Sequence, residues 1–488
     1  MTKPAAACAP RRHSLVVPNA DLITKYNRPG PRYTSYPPAP YWSDAYTETD
    51  YTRALGEMGQ RIARDPGNGA SIYVHVPFCE HRCSFCACNV IISRAHERGA
   101  TYVARVVREM DRVLAAIGTP RPRVRQIHWG GGTPTWLSVE ELSQLQDAIA
   151  ERFELTPDRE QSIEIDPRVT TLAQITALRE RGLNRISIGV QDIDDTVQQA
   201  IHRIQPVEVT ARAINEARSL GITGVNVDLI YGLPHQTVEN FGRTVDAVIG
   251  MGVDRVALYN FAYFPDRLRH HRAITPESLP ASQTRIELFR SAASRFAAAG
   301  YELIGLDHFA KSTDELAIAA GNGTMQRNFM GYTTRAGSDL LAFGVSSISR
   351  VGRDFAQNVK TTDDYERIVD IDGALPIERG MRLSDEDLLR ESLIQRLMCY
   401  GDVDLGALET EHGINVLADP ETAARLDELA ADGLVDLSGR RLQITDLGRF
   451  FLRNIAMVFD AYLGKPGAEG PSNADGSKPV QLRFSRTV

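Results

Sequence analysis

Cysteine is scarce in this chain: 488 residues hold only six. Two stand alone, Cys8 near the start and Cys399 in an apolar helical run. A secreted disulfide framework spreads paired cysteines along a sequence, so this distribution argues against one. No apolar run approaches the ~18 residues of a transmembrane helix, and the opening MTKPAAACAPRRHS lacks the apolar stretch of a secretion signal. A disordered start over residues 1–24 and a cytoplasmic location are expected. Positive charge is not in excess either. The formal net charge is −7, which speaks against nucleic acid as a partner. Nothing suggests a coiled coil, so a monomer is the default. Hydrophobic residues at 43% and charged residues at 24% suit a globular chain with a sizeable core.

Where cysteine does occur, it is concentrated. Cys79, Cys83, Cys86 and Cys88 fall within the ten residues CEHRCSFCAC. Bunched thiolates point to a metal. Structural zinc usually draws on two separated C-x2-C or H-x3-H knuckles, and the sequence has no second knuckle. Thiolates suit iron–sulfur clusters, and C-x3-C-x2-C spacing lets one loop wrap a cubane. Three thiolates leave the fourth iron open to a small molecule, whereas four close it. In an extended loop, Cys-x-Cys at 86–88 points its two side chains apart, which makes Cys88 a poor fourth ligand. A natural occupant of the open iron is the amino-carboxylate of S-adenosylmethionine. An electron from the cluster can break its S–C5′ bond and give a 5′-deoxyadenosyl radical.

Strands and helices alternate from about residue 71 to 306. Strands are expected over 71–76, 124–129, 162–166, 185–190, 224–230, 256–261 and 303–305, with amphipathic helices between them. Six or seven such units indicate an α/β fold, a parallel sheet with helices outside in a partial (β/α) TIM-type barrel. Function then sits at the C-terminal ends of the strands, where the cysteine loop, GGGTP, Glu164, Gln191 and Asp228 all fall. The stretch KYNRPGPRYTSYPPAP opens an extended N-terminal arm over 25–60, and the barrel is expected over 61–375. Helices, a hairpin turning at Ser438-Gly439 and a last helix over 446–462 read as a smaller, mainly helical, winged-helix-like unit over 376–463. It is expected to pack as a lid rather than to bind DNA. A Gly/Pro/Ser-rich linker and tail close the chain over 464–488.

Two further features carry chemistry. Gly130-Gly131-Gly132-Thr133 has little side-chain bulk, so its backbone N–H groups are expected to approach an anion or amino acid closely. Glu164 at a strand end would be costly to bury without a partner, and a cationic adenosyl ligand or its ribose hydroxyls would supply one.

Taken in order, KYNRPGPRYTSYP, YVHVPFCEHRCSFCACN, HWGGGTPT, IEIDPR, SIGVQD, NVDLIYGLP, DHFA, RNFMGYTT and GVSSIS resemble the radical S-adenosylmethionine superfamily. Within it they are most similar to the oxygen-independent coproporphyrinogen III oxidases, also called coproporphyrinogen dehydrogenases. The resemblance runs from about residue 25 to 350 and continues more weakly to the end. It implies a [4Fe-4S] cluster on Cys79, Cys83 and Cys86, with Cys88 off the iron. It also implies two molecules of S-adenosylmethionine, contacted by Tyr73, Phe85, Gly131, Gly132, Thr133, Glu164, Gln191, Arg203, Asp228, Ala262 and Ile348. Cys88, His75 and Tyr73 become the candidate catalytic residues. The implied reaction, a step of haem biosynthesis, decarboxylates two propionates of coproporphyrinogen III to vinyl groups, giving protoporphyrinogen IX without oxygen. A reductant protein such as flavodoxin or ferredoxin and an external electron acceptor are the implied partners. Four substrate carboxylates call for cationic clamps, for which Lys25, Arg32, Arg168 and Arg327 are candidates. The strongest rival reading is a haem chaperone of the same superfamily, ahead of a radical methyltransferase acting on another tetrapyrrole and a zinc-dependent regulator using the winged-helix-like unit. Such chaperones generally carry an aromatic residue where Cys88 stands and lack the PRYTSYP arm.

Overall fold

The computed structural model describes residues 16–65, 67, 69–118, 121–335, 337–463 and 484–487. Much of the expected disordered start and of the expected linker therefore lies outside the described residues. Six strands run parallel as the alternation predicts: β1 (Gly69–Val76), β2 (Arg123–Gly131), β3 (Glu154–Ile165), β4 (Arg185–Gln191), β5 (Gly224–Tyr231) and β6 (Arg255–Asn260). Ile72, Val74, Ile127, Ile186, Ile188, Val225 and Val227 are fully buried along them, as parallel strands covered on both faces require.

The helix Arg98–Ile117 shows why the outer layer forms. Tyr102, Val103, Val106, Met110, Val113 and Ile117 recur every three or four residues and are buried, and Gly118 at φ +83° ends the helix. Capping boxes at Ser138, Thr171 and Thr237 start the helices Val139–Arg152, Leu172–Glu180 and Val238–Gly250.

The edges of the sheet depart from the sequence reading. The region expected as a last parallel strand near 303–305 forms β7 (Tyr301–Ile304), which pairs antiparallel with β8 (His308–Lys311), itself antiparallel to β6. Beyond β1, β9 (Asp339–Phe343) is parallel to it. Then β10 (Ile348–Val351), β11 (Asp354–Asn358) and β12 (Ile377–Arg382) follow antiparallel. The twelve strands follow a linear order, β12-β11-β10-β9-β1-β2-β3-β4-β5-β6-β8-β7, with no pairing between the ends. The barrel is open, and its sheet continues past the expected boundary at residue 375.

The N-terminal arm begins in structure earlier than expected. Ala20–Tyr26 is a helix whose Asn19 cap accepts the Leu22 N–H at 2.9 Å, so the expected disorder does not extend to residue 24. The helix Glu48–Arg64 crosses the expected arm boundary at 60 and buries Tyr51, Leu55, Met58 and Ile62. Between these helices, Tyr33 and Tyr36 are buried, and Tyr33 Oη donates to Asp460 at 2.9 Å. Arg453 donates to the carbonyls of Gly30, Pro31, Ser485 and Arg486, tying the arm, the chain end and the C-terminal unit into one seam.

That unit holds the helices Asp385–Tyr400, Leu405–His412 and Pro420–Ala431 and a sheet of β13 (Asp402–Asp404), β14 (Val435–Ser438) and β15 (Arg441–Ile444), ordered β13-β15-β14. The hairpin turns at Gly439, φ +60°. The helix expected over 446–462 is instead a 3-10 turn, Gly448–Phe451, followed by the short helix Leu452–Met457. No helix among the described residues is long and apolar enough to cross a membrane.

Candidate active site

Strand β1 delivers the chain into the cysteine loop, and a cavity of about 340 Å³ opens at the C-terminal rim of β2 to β5. All four clustered cysteines line it, together with Phe85, Gly131, Gly132, Thr133, Glu164, Arg168, Gln191, Arg203 and Asp228. These residues come from six stretches of sequence. No three His, Cys, Asp or Glu side chains among the described residues gather closely enough for one ion. The four thiols share this one cavity, a soft donor set of the kind that holds iron–sulfur clusters.

The loop is clamped from outside, in part by Ser84, His202 and His270, which the sequence reading did not single out. Ser84 N–H donates to the Ile201 carbonyl at 3.0 Å, and Ser84 Oγ meets His202 Nδ1 at 2.8 Å. His270 Nε2 meets the Cys86 carbonyl at 2.6 Å. Thr133 Oγ1 lies 3.4 Å from Cys79 Sγ. Arg203 is buried, with Nη1 3.6 Å from Cys83 Sγ and 3.1 Å from Asp166 Oδ2, while Nη2 donates to the Gly189 carbonyl at 2.7 Å. Its Nε is buried without a partner among the described residues. Arg168 grips Asp166 with Nε and Nη2, the latter at 2.6 Å. Burial acts to raise Asp166, but the two arginines hold it down at about 2. Cys86 and Cys88 do not diverge as an extended loop would make them. Both line the cavity, and the hydrogen bond with Cys88 pulls the Cys86 thiol down to about 7 while Cys88 moves up.

The glycine turn also works differently from expectation. Its N–H groups are already used: Gly131 donates to Glu164 Oε2 at 3.1 Å, Gly132 to the Val76 carbonyl and Thr133 to the Phe78 carbonyl, each at 2.8 Å. Side chains are excluded for packing reasons. A Cβ at Gly131, φ +112°, would stand 2.6 Å from the His75 ring, and one at Gly132 would stand 2.7 Å from the Pro77 and Phe78 backbone. Glu164 has the partners it needs in Gly131 N–H and His128 Nε2 at 3.3 Å. Burial and then repulsion from Glu164 push Asp228 up to about 7, with Ser187 Oγ 3.4 Å away. Gln191 sits at φ +69°, a strained backbone position at the cavity wall.

Several candidates lie elsewhere. Tyr73 and His75 are not among the lining residues; they form a pair beneath the turn, Tyr73 Oη to His75 Nδ1 at 3.0 Å, with His75 Nε2 on the Asn89 carbonyl. Ala262 lines a separate cavity of about 300 Å³. Ile348 packs with Trp42, Phe329 and Phe355. Among the proposed clamps only Arg168 reaches the cysteine cavity, and it is occupied by Asp166. Lys25 is spent on Glu428 and Asp432, at 2.7 and 2.5 Å, so it is a strut between arm and C-terminal unit. Buried Arg327 donates to the Arg32 carbonyl at 2.6 Å and lies over the Tyr332 ring. Arg32 donates to the Asn260 carbonyl at 2.6 Å.

The donor set fits an iron–sulfur cluster bearing a cationic, hydroxyl-rich ligand. Three or four thiolates share a wall with the carboxylates of Glu164 and Asp228, which repel one another until a cation or hydroxyl donors separate them. An open parallel barrel with a cysteine loop after its first strand, carrying this site, belongs to the radical S-adenosylmethionine class, and the sequence profile of the Radical SAM superfamily matches residues 73–248. The class works with a [4Fe-4S] cluster and S-adenosylmethionine. The HemN C-terminal domain profile matches residues 383–451. The chain is 42% identical to the oxygen-independent coproporphyrinogen III oxidase of Pseudomonas aeruginosa, over 91% of this chain and 96% of that protein. Identity to the enzyme of the same name from Synechocystis is 39%, over 96% and 98%. The solved structure of coproporphyrinogen III oxidase (HemN) from Escherichia coli, described as a radical SAM enzyme, matches with a TM-score of 0.83 and 37% identity, over 91% of this chain and 99% of that one. The chain belongs to the oxygen-independent coproporphyrinogen III oxidase family.

Proposed function

We propose that this chain carries out the oxygen-independent oxidative decarboxylation of coproporphyrinogen III to protoporphyrinogen IX. The observation that carries this reading is the single cavity that brings the cysteine loop, Glu164, Gln191, Arg203 and Asp228 together in a chain with such relatives. Each propionate –CH2–CH2–CO2⁻ loses carbon dioxide, one hydrogen atom and one electron to become a vinyl group. When bound, the cluster and S-adenosylmethionine supply hydrogen-atom abstraction from unactivated C–H bonds.

The chain's own residues bind, orient and shield. Cys79, Cys83 and Cys86 are assigned as cluster ligands, with Cys88 as the neighbour whose hydrogen bond favours the Cys86 thiolate. Arg203 neutralises charge beside Cys83 and fixes Asp166. Carbonyls of the glycine turn and the Thr133 hydroxyl are the acceptors left for an ammonium group, since the N–H groups are committed. Glu164 and Asp228 would take the cationic and ribose parts of the ligand, and Phe85 and Gln191 line the same cavity. The tyrosine–histidine pair Tyr73–His75 supports the turn from below. The protein reductant of the flavodoxin or ferredoxin type, an external acceptor for the remaining electron, a monomeric state and a cytoplasmic location complete the proposal.

Substrate deuterated at the propionate β-carbons tests the reading. Deuterium recovered in 5′-deoxyadenosine, in step with vinyl product, is the expected outcome. Deoxyadenosine free of substrate deuterium overturns it.

A further inference from the structure

Arginines gather at a second place on the rim, away from the cysteines. A pocket of about 60 Å³ between the arm, the barrel and the C-terminal unit is lined by Arg32, Arg285, Arg449 and Arg453, with Tyr231 and Asn260 from the ends of β5 and β6. That volume admits a carboxylate-sized group. The sole carboxylate lining it is Asp307, held by His308 Nδ1 at 2.6 Å. Among the described residues, Arg32, Arg285 and Arg453 form no ion pair. Arg453 is spent on backbone carbonyls, Arg32 is bonded to the Asn260 carbonyl, and Arg285 only through Nε to the Pro280 carbonyl at 3.2 Å. Burial and then the nearness of Arg32 bring the Arg453 guanidinium down to about 9. Arg32, Arg285 and Arg453 held close together, with Asp307 the one carboxylate in the lining, call for an anion from outside.

The position suits the reaction. Tyr231 lies three residues beyond Asp228 on the same strand, roughly 10 Å farther along it at ~3.3 Å per residue, so the pocket opens past the strand end beyond the cysteine cavity. Arg285 also lines the neighbouring cavity of about 300 Å³, whose walls include Phe261, Phe264 and Arg486. A space walled by aromatic rings and by charged side chains, Asp266 among them, with an arginine pocket at its end, matches a flat tetrapyrrole that carries carboxylates on short arms.

We propose that this pocket binds a propionate carboxylate of the tetrapyrrole substrate, with Arg285 and Arg32 as the direct contacts and Arg453 as the residue that shapes the pocket from behind. The assignment rests on the reaction proposed above and places one end of the substrate at the arm. The arm thereby becomes part of the substrate site, closing it from the N-terminal side.

The test uses the full-length, cluster-loaded enzyme and the fluorescence of coproporphyrin III, the stable oxidised form of the substrate. Arg285→Gln is expected to weaken coproporphyrin III binding about tenfold or more, with Arg285→Lys in between. The affinity for S-adenosylmethionine serves as internal reference. Coproporphyrin III tetramethyl ester, which lacks the carboxylate charge, is expected to bind weakly and to the same extent in wild type and variant. If Arg285→Gln fails to fold, Arg32→Gln is expected to give the same loss. Equal coproporphyrin III affinity in wild type and in the folded variant overturns the proposal. So does ester binding as tight as the acid, or inorganic phosphate competing as well as the tetracarboxylate, which marks a general anion site. Porphyrin binding that depends on Arg285 in an enzyme that forms no vinyl product supports the pocket and removes the reaction. Turnover with an unaltered KM in Arg285→Gln removes the pocket and leaves the reaction standing.

Discussion

Arg203 Nη1 stands 3.6 Å from the Cys83 sulfur and 3.1 Å from an Asp166 carboxylate oxygen, so one buried guanidinium joins the cysteine loop to the end of the third barrel strand. Arg203→Met removes a charge-assisted hydrogen bond and leaves Asp166 to Arg168 alone. A loss of roughly 1.5–3 kcal/mol in unfolding free energy is expected, together with weaker retention of the cluster. Arg203→Lys is expected not to restore either, because an ammonium does not span sulfur, carboxylate and the Gly189 carbonyl in one plane. Chemical denaturation and iron and sulfide analysis of reconstituted protein are the measurements.

Cys86 and Cys88 both line the cavity, so removing them one at a time separates ligand from neighbour. Cys86→Ser is expected to lose the cluster, whereas Cys88→Ser keeps the brown colour and four irons per chain but turns over more slowly. Loss of the cluster in Cys88→Ser would make it a ligand.

Asp228 gives a pH dependence with a definite sign. In the ligand-free fold it titrates at about 7, against about 3.9 in an unfolded chain. Between these values the unfolded state sheds the proton and the folded state keeps it, so stability falls as pH rises from about 4 to about 7. Asp228→Asn is therefore expected to melt at higher temperature than wild type at pH 7.5, with the gap narrowing toward pH 5. Melting curves that stay parallel with pH would contradict this.

Gly132→Ala places a Cβ against the Pro77 and Phe78 backbone, which cannot step aside as a side chain would. The variant is expected to lose cluster incorporation while far-UV circular dichroism stays close to wild type. Lys25→Met, in contrast, cuts the surface ion pairs of an exposed lysine to Glu428 and Asp432 and its contact with the Tyr26 ring. Its expected effect is a small drop in Tm with an unaltered KM for substrate.

Much of the barrel was legible because parallel strands buried on both faces leave apolar runs between amphipathic helices, as in β1, β4 and β5. The edges were not. β10, β11 and β12 are short antiparallel strands of four to six residues without a helix between β10 and β11 to mark the period. At the site, the residue types around the cysteines were readable, but their bonding was not. The glycine N–H groups are consumed by carbonyls of the adjoining β1 end and by Glu164, a matter of register. His202 and His270 reach the cysteine loop from 118 residues (Ser84 to His202) and 184 residues (Cys86 to His270) away in sequence, a distance no local pattern reports. The pairing of Lys25 with the C-terminal unit was hidden for the same reason.

The most direct test is anaerobic turnover. Reconstituted protein is given a reductant, S-adenosylmethionine, an electron acceptor and coproporphyrinogen III, and the products are separated. The account predicts protoporphyrinogen IX, with 5′-deoxyadenosine and carbon dioxide formed alongside each new vinyl group. An intact cluster that yields neither vinyl product nor deoxyadenosine, in a protein that binds haem tightly instead, would contradict it.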